Sequence, residues 1–108
     1  MSKTYTKRLG LLRKREDMTH EQFVRHWMTT HAALCKKLPG LRKYEVSQGP
    51  VASPAGASGI YLVAILTFDN MAAVQAAFGS EEGKATAGDL KNFASGGVDL
   101  VFFDTKDA

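Results

Sequence analysis

The stretch Thr19–Gly40, THEQFVRHWMTTHAALCKKLPG, decides how the rest of the chain must be arranged. It opens with Thr19-x-x-Gln22, a capping box in which the Thr19 hydroxyl accepts the Gln22 backbone N–H and the Gln22 side chain reaches back. It closes on Lys36-Lys37, which suit the negative end of a helix dipole, and on Leu38-Pro39-Gly40, which cannot continue a helix. The spacing predicts one amphipathic helix from Thr19 to about Lys37. At 100° per residue, Phe23, Trp27, Leu34 and Leu38 form its apolar stripe. His20 and His31 fall inside the stripe, and His26 and Cys35 fall on opposite flanks.

Outward from this helix the pattern changes to short strands. Thr4–Arg13 alternates imperfectly and carries Leu9, Leu11 and Leu12, so it predicts a strand. Leu41–Ser47 predicts a second. Gly49–Gly59 is rich in Gly, Pro, Ala and Ser and predicts a mobile loop. Ile60–Phe68 predicts a central strand covered on both faces, because its apolar run is almost continuous. Asp69 is the expected cap of a helix over about Asn70–Phe78. Gly79-Ser80-Glu81-Glu82 then restarts a second helical piece to about Phe93, and Val98–Phe103 predicts the last strand. The order is β-α-β followed by β-α-β, in halves of roughly fifty residues, as in a split βαβ arrangement. An α+β sandwich follows: a four-stranded antiparallel sheet with its helices on one face. The other face keeps apolar residues and needs a cover, most simply a second copy's sheet, which makes a homodimer the expected state.

Length and composition bound the rest. The 108 residues are expected to form a single domain over 1–108, large enough to bury a core without disulfides or metal. The longest apolar run, Ile60–Leu66, is too short to span a bilayer, and no signal-type core follows the basic start, so no membrane partner is expected. Cys35 is the lone cysteine, and a cytoplasmic setting is the expected one. Residues 1–44 carry a net charge of +8 and residues 45–108 a net charge of −5. Such halves complement each other across a fold or dimer. The basic residues are not interleaved with aromatics on a regular stripe, so no nucleic-acid partner is expected.

His31 is the first candidate for chemistry. Projected toward the core, it is either a core histidine satisfied by backbone or a hydroxyl, or a general acid/base at a cavity wall. An apolar wall beside Trp27 would disfavour its charged form and suit a neutral base. Tyr44 is the second, as a donor to an oxyanion or enolate, or as a packed strand tyrosine. Phe23, Trp27 and Leu34 are the expected substrate-binding wall. His26 reads as a surface or interface residue, His20 as structural or exposed, and Cys35 as a small buried hydrophobe. His26 and His31 are five apart, a poor spacing for one helix face, so no metal pair is expected there. No GxGxxG, P-loop, HExxH or CxxC occurs, and no cofactor is expected.

Taken in order, Lys14-Arg15-x-x-Met18-Thr19-x-Glu21-x-Phe23-x-x-x-Trp27-x-x-x-His31-Ala32-x-Leu34, then Leu38-Pro39-Gly40-Leu41-x-x-Tyr44, resembles the EthD family. Phe68-Asp69, Ser80-x-Glu82-Gly83, Asp89-Leu90-x-Asn92-Phe93 and Gly96-Gly97 extend the resemblance over nearly the whole chain. The resemblance implies a ferredoxin-like βαββαβ fold, a homodimeric α/β barrel closed by two sheets, and a ligand cavity between each sheet and its own helices. It also implies an accessory or enzymatic role in degradation or secondary metabolism, often under an oxidoreductase or monooxygenase heading. Trp27, His31 and Tyr44 fall on the family's motif positions. The expected function is a cofactor-independent oxidoreductase, cyclase, isomerase or decarboxylase. It would act on an aromatic, polyketide-like or lactone carbonyl compound, with His31 as general acid/base. The alternative is a non-catalytic binding or accessory protein with the same pocket.

Overall fold

The computed structural model describes residues 4–108. β1 (Tyr5–Arg13) alternates buried and half-buried residues, so Thr6, Arg8, Gly10 and Leu12 share its inner face. The capping box then forms as the sequence predicts. Thr19 Oγ1 accepts the Gln22 N–H at 3.1 Å, and Gln22 Oε1 accepts the Thr19 N–H at 2.8 Å. α1 (His20–His26), a π-helical turn (Trp27–His31) and α2 (Ala32–Lys36) follow as one unbroken right-handed rod. β2 (Lys43–Val46) leads into a short hairpin, β3 (Ala52–Ser53) paired with β4 (Gly56–Ala57). β5 (Leu62–Phe68), α3 (Met71–Gly79), α4 (Glu81–Phe93) and β6 (Gly97–Thr105) complete the order.

The main sheet is antiparallel with order β2-β5-β1-β6, which puts the two most buried strands at its centre. The fold is ferredoxin-like and α+β, with the helices packed on one sheet face. Their contact builds two apolar clusters. Leu12 and Leu62 meet Phe23 and Phe93, while Leu66 and Phe68 meet Cys35, Leu38 and Val74. Fully burying each large side chain contributes about 1.5–3 kcal/mol, so the pair of clusters dominates the fold's stability.

The opposite sheet face carries Leu9, Leu11, Val63 and Ile65, with Val101 and Phe103 beside them on edge strand β6. Val101 is 44% and Phe103 42% exposed, so this face is apolar and uncovered in the single chain.

Four expectations change. Asn70, not Asp69, caps α3, its side chain accepting from Ala73 N at 2.8 Å. Asp69 instead pairs with Arg42, at 3.0 and 2.7 Å. The segment 49–59, read as a loop, contains the β3–β4 hairpin, with Ser58 Oγ donating to Val51 O at 2.7 Å. Cys35 takes the buried position that an unbroken α-helix assigns to Leu34, which is only half-buried. The cause is the π-helical turn, closed by the Ala32 N–H on Trp27 O: one extra residue in a turn shifts every later position by one. The fourth change concerns His26 and belongs to the site.

Candidate functional site

The π-helical turn determines what the two histidines can reach. An i to i+5 ladder brings residues five apart onto one side, so His26 and His31 face the same carboxylate, Asp89 on α4. His26 Nε2 stands 2.9 and 3.0 Å from the two Asp89 oxygens, and His31 Nδ1 stands 2.9 Å from Oδ2. Asn92, one turn along α4, donates to Oδ1 at 3.0 Å. His26 is therefore no plain surface residue, and its spacing from His31 does not separate them.

The electrostatics of this group are consistent. Burial pushes the Asp89 carboxyl up, but hydrogen bonds from Asn92, His26 and His31 outweigh it and hold the group below the ordinary carboxylate value. An ionised carboxylate only accepts, so His31 Nδ1 carries the proton and Nε2 is left as the basic nitrogen. No hydrogen bond reaches Nε2 among the described residues. Burial lowers the His31 pKa against the pull of Asp89, so the ring is neutral at pH 7. Phe93 holds both imidazoles, its ring centre 5.1 Å from that of His26 and 4.8 Å from that of His31.

Between the two apolar clusters lies a polar seam. Cross-strand register puts Tyr44, Leu66, Arg8 and Phe102 in one row on the helix-facing side of the sheet. The Tyr44 hydroxyl and Trp27 Nε1 are both buried, and among the described residues neither has a partner within hydrogen-bond distance, although each is near the other. Burial pushes the Tyr44 phenol up, which keeps it protonated and a donor. Burial likewise raises the Cys35 thiol, so it stays neutral beside Tyr44 and is no activated nucleophile.

The chain also has a cleft of about 630 Å³ between the rod and the hairpin segment, lined by Phe23, Val24, Trp27, Val51, Ile60 and Tyr61. At its mouth, His20 Nδ1 lies 3.2 Å from the Tyr61 hydroxyl. Of the expected site residues, Phe23 and Trp27 line this cleft. His31 and Tyr44 lie deeper, between rod and sheet, and Trp27 joins the two regions: its ring faces the cleft and its Nε1 is enclosed near Tyr44. Leu34 lines neither, because the π-helical turn rotates it aside. No group of three metal-ligating side chains arranged for an ion occurs among the described residues.

Sequence reasoning gave Asp89 and Arg8 no role. Asp89 carried a signal, since Asp89-x-x-Asn92 on a helix puts a carboxylate and an amide one turn apart. Arg8 carried a fainter one, its place in the inward set Thr6, Arg8, Gly10, Leu12.

A family model described as the EthD domain matches residues 15–97, a span that holds the rod, Tyr44 and Asp89. The chain belongs to the EthD family. A relative from Rhodococcus erythropolis, an uncharacterized 11.0 kDa protein of the thcB-thcC intergenic region, is 35% identical over 83 residues, covering 76% of this chain and 79% of its own. The crystal structure of an EthD family protein from Bacillus halodurans is 33% identical, with a TM-score of 0.81 over 92% of this chain and 96% of that one. More distant structures share the fold alone. A dimeric ferredoxin-like protein from Bacteroides fragilis has TM-score 0.68 at 21% identity, covering 94% and 96% of the two chains. A hydroxynitrile lyase from Passiflora edulis has 0.70 at 14%, covering 96% and 94%. A cofactor-independent oxygenase from Streptomyces nogalater has 0.66 at 13%, covering 97% and 95%.

Proposed function

We propose that this EthD-family chain is a small-molecule enzyme that works as a homodimer and moves a proton on an organic carbonyl substrate. The carrying observation is the Asp89–His31 pair, which fixes the imidazole with Nδ1–H on the carboxylate and Nε2 free to act. In the reaction, Nε2 takes a proton from the carbon beside the carbonyl. The bonding pair moves onto the carbonyl oxygen, and the Tyr44 hydroxyl donates to the charge that forms there. Return of the proton at the same or another carbon gives exchange or isomerisation; attack of the enolate carbon on a second carbonyl of the same ligand, whose oxygen then takes the proton from His31, gives ring closure. Phe23 and Trp27 hold the apolar body of the ligand. Support for the homodimer comes from the uncovered apolar sheet face and from the dimeric description of a protein that shares the fold. A lyase and a cofactor-independent oxygenase on the same fold support small-molecule chemistry in general terms.

The test is solvent exchange in D2O at pH 7 with a panel of aromatic ketones and lactones, reading loss of the α-proton signal by NMR. Catalysed exchange that His31→Asn reduces at least 100-fold supports the enzyme. Saturable binding across the panel with exchange at the buffer rate overturns it in favour of a carrier with the same pocket.

A further inference from the structure

Arg8 is 6% exposed, and its side chain makes no hydrogen bond or ion pair with a described residue. That is unusual chemistry: five N–H donors and a full charge have been taken out of water with no acceptor supplied. Its one specific contact is with Phe78, whose ring centre lies 4.2 Å from the guanidinium carbon. The neighbouring carboxylates are committed elsewhere. Asp89 is engaged by two imidazoles and Asn92, and Asp104, one row along the sheet, accepts from Thr6 Oγ1 at 2.5 Å.

The surroundings of Arg8 repeat the pattern. Arg8 and Tyr44 flank Leu66 in one cross-strand row, so their Cα atoms are two strand spacings, roughly 10 Å, apart on the same face. Both side chains lie under the rod, close enough for the Arg8 charge to act on the Tyr44 phenol. The next row toward the cleft has Ala64 and Gly10 at its centre, with the Leu12 and Leu100 side chains closing over Gly10. The Tyr44 hydroxyl and Trp27 Nε1–H are further buried donors without acceptors. Three donor groups thus lie near one another under the rod, with His31 close enough to feel the Arg8 charge, and among the described residues no acceptor stands within hydrogen-bond distance of any of them.

We propose that this seam is an anion site for the carboxylate of the ligand, bound by the Arg8 guanidinium with the Trp27 indole N–H as a neutral donor, while the Tyr44 hydroxyl beside them serves the carbonyl oxygen. The substrate class is then an aromatic or polyketide-like carboxylic acid, a narrowing that rests on the pocket assigned under the proposed function. Arg8 lies outside the span matched by the family model. The Arg8 fork sets which end of the ligand enters first and leaves the apolar body in the cleft behind Trp27.

Trp27 is the only tryptophan, so its indole N–H gives one resolvable signal in a proton–nitrogen NMR spectrum. The experiment titrates wild-type protein at pH 7 with 2-naphthoate and with 2-naphthamide, its neutral isostere. The acid binds at least tenfold tighter than the amide and moves the indole proton downfield. Arg8→Met lowers the acid to the affinity of the amide and leaves the amide unchanged. Arg8→Lys, which keeps the charge, retains part of the preference and serves if the methionine variant does not fold. His31→Asn keeps the acid preference while losing exchange, which separates this site from the catalytic reading. Equal affinity of acid and amide for the wild-type protein, no saturable shift with either, or a preference that survives in Arg8→Met overturns the proposal. Exchange on neutral ketones would still stand in each case.

Discussion

His31 and Asp89 are 58 positions apart in the chain and meet at 2.9 Å through Nδ1 and Oδ2. The carboxylate comes from α4 and the imidazole from the π-helical turn, so the pair also ties the rod to α4. Asp89→Asn keeps the shape and removes the charge. The amide offers one acceptor where two imidazole N–H groups need one each, and its NH2 faces a ring nitrogen. His31 then shifts its proton toward Nε2 and loses its base. Proton exchange falls by about 10²–10⁴, the usual contribution of a placed acid/base. Stability falls by about 1–3 kcal/mol for the unpaired buried group. Retained exchange with a lowered melting temperature would make Asp89 a structural residue only.

The same pair sets an acid limit on stability. His31 has a folded pKa below its ordinary 6.5, so the unfolded chain binds its proton first. Its contribution is complete above about pH 6.5 and is lost as pH falls toward the lower folded value. Asp89 is also lowered from 3.8, and its share goes below about pH 4 by the same sign. Melting temperature therefore declines in two stages on acidification from pH 7.5. His31→Gln removes the upper stage and leaves the lower. An unchanged upper stage in that variant would assign it to another group.

Much of this was legible in the sequence because it follows from local rules. The capping box, the Leu38-Pro39-Gly40 stop and the period-two strands each have a cause within a few residues. The placement of Phe23 and Trp27 on a cleft wall followed from the same stripe. What was hidden depends on the partner across the fold. Trp27–His31 reads as ordinary helix, and nothing within it announces a wider turn. Once the turn widens, His26 joins His31 and Cys35 displaces Leu34. Arg8 was passed over because a basic residue on an alternating strand normally faces water, and only the register with Tyr44 reveals that it does not.

The uncovered sheet face predicts the oligomeric state. Leu9 sits mid-strand between Ile65 and Val101. The wild-type protein sediments at twice its 11.7 kDa chain mass at micromolar concentration. Leu9→Glu puts a charge at the middle of the apolar patch, shifts sedimentation to the monomer, and lowers the melting temperature. A wild-type monomer, or a variant that stays dimeric, would place the interface elsewhere.

Gly83 marks the closest backbone approach between α3 and α4. Ser80 Oγ accepts the Gly83 N–H at 3.1 Å and draws that turn against the end of α3. A Cβ at Gly83 would stand 2.2 Å from Ala77 O and 2.4 Å from Phe78 Cα, both backbone atoms that cannot swing aside. Gly83→Ala should therefore destabilise the fold by about 1–3 kcal/mol, as overpacking does, despite alanine's better helix propensity. Urea denaturation measures it. A gain in stability would mean that the junction opens easily, and would also loosen the case for Phe78 as a fixed ceiling over Arg8.

Removing one residue tests what the π-helical turn contributes. That turn holds one residue more than an α-helical turn, and Thr30 is its exposed threonine without a side-chain hydrogen bond. Deleting Thr30 lets the rod close as a regular α-helix. Phe23 and Trp27 before the deletion, and Ala32, Cys35 and Leu38 after it, keep their faces because the deletion removes the extra residue that the wide turn absorbs. The deletion variant should fold with a melting temperature equal to or above the wild type. Cys35, 2% exposed in the wild type, should stay closed to a thiol reagent, which checks the register. His31 follows the deletion directly, so it keeps its face together with Ala32, and His26 then stands four residues before it, the α-helical spacing for one face. Proton exchange should therefore be retained. A variant that unfolds would make the turn a structural necessity. One that folds but loses exchange at least tenfold would show that the wide turn itself aligns His31 on Asp89.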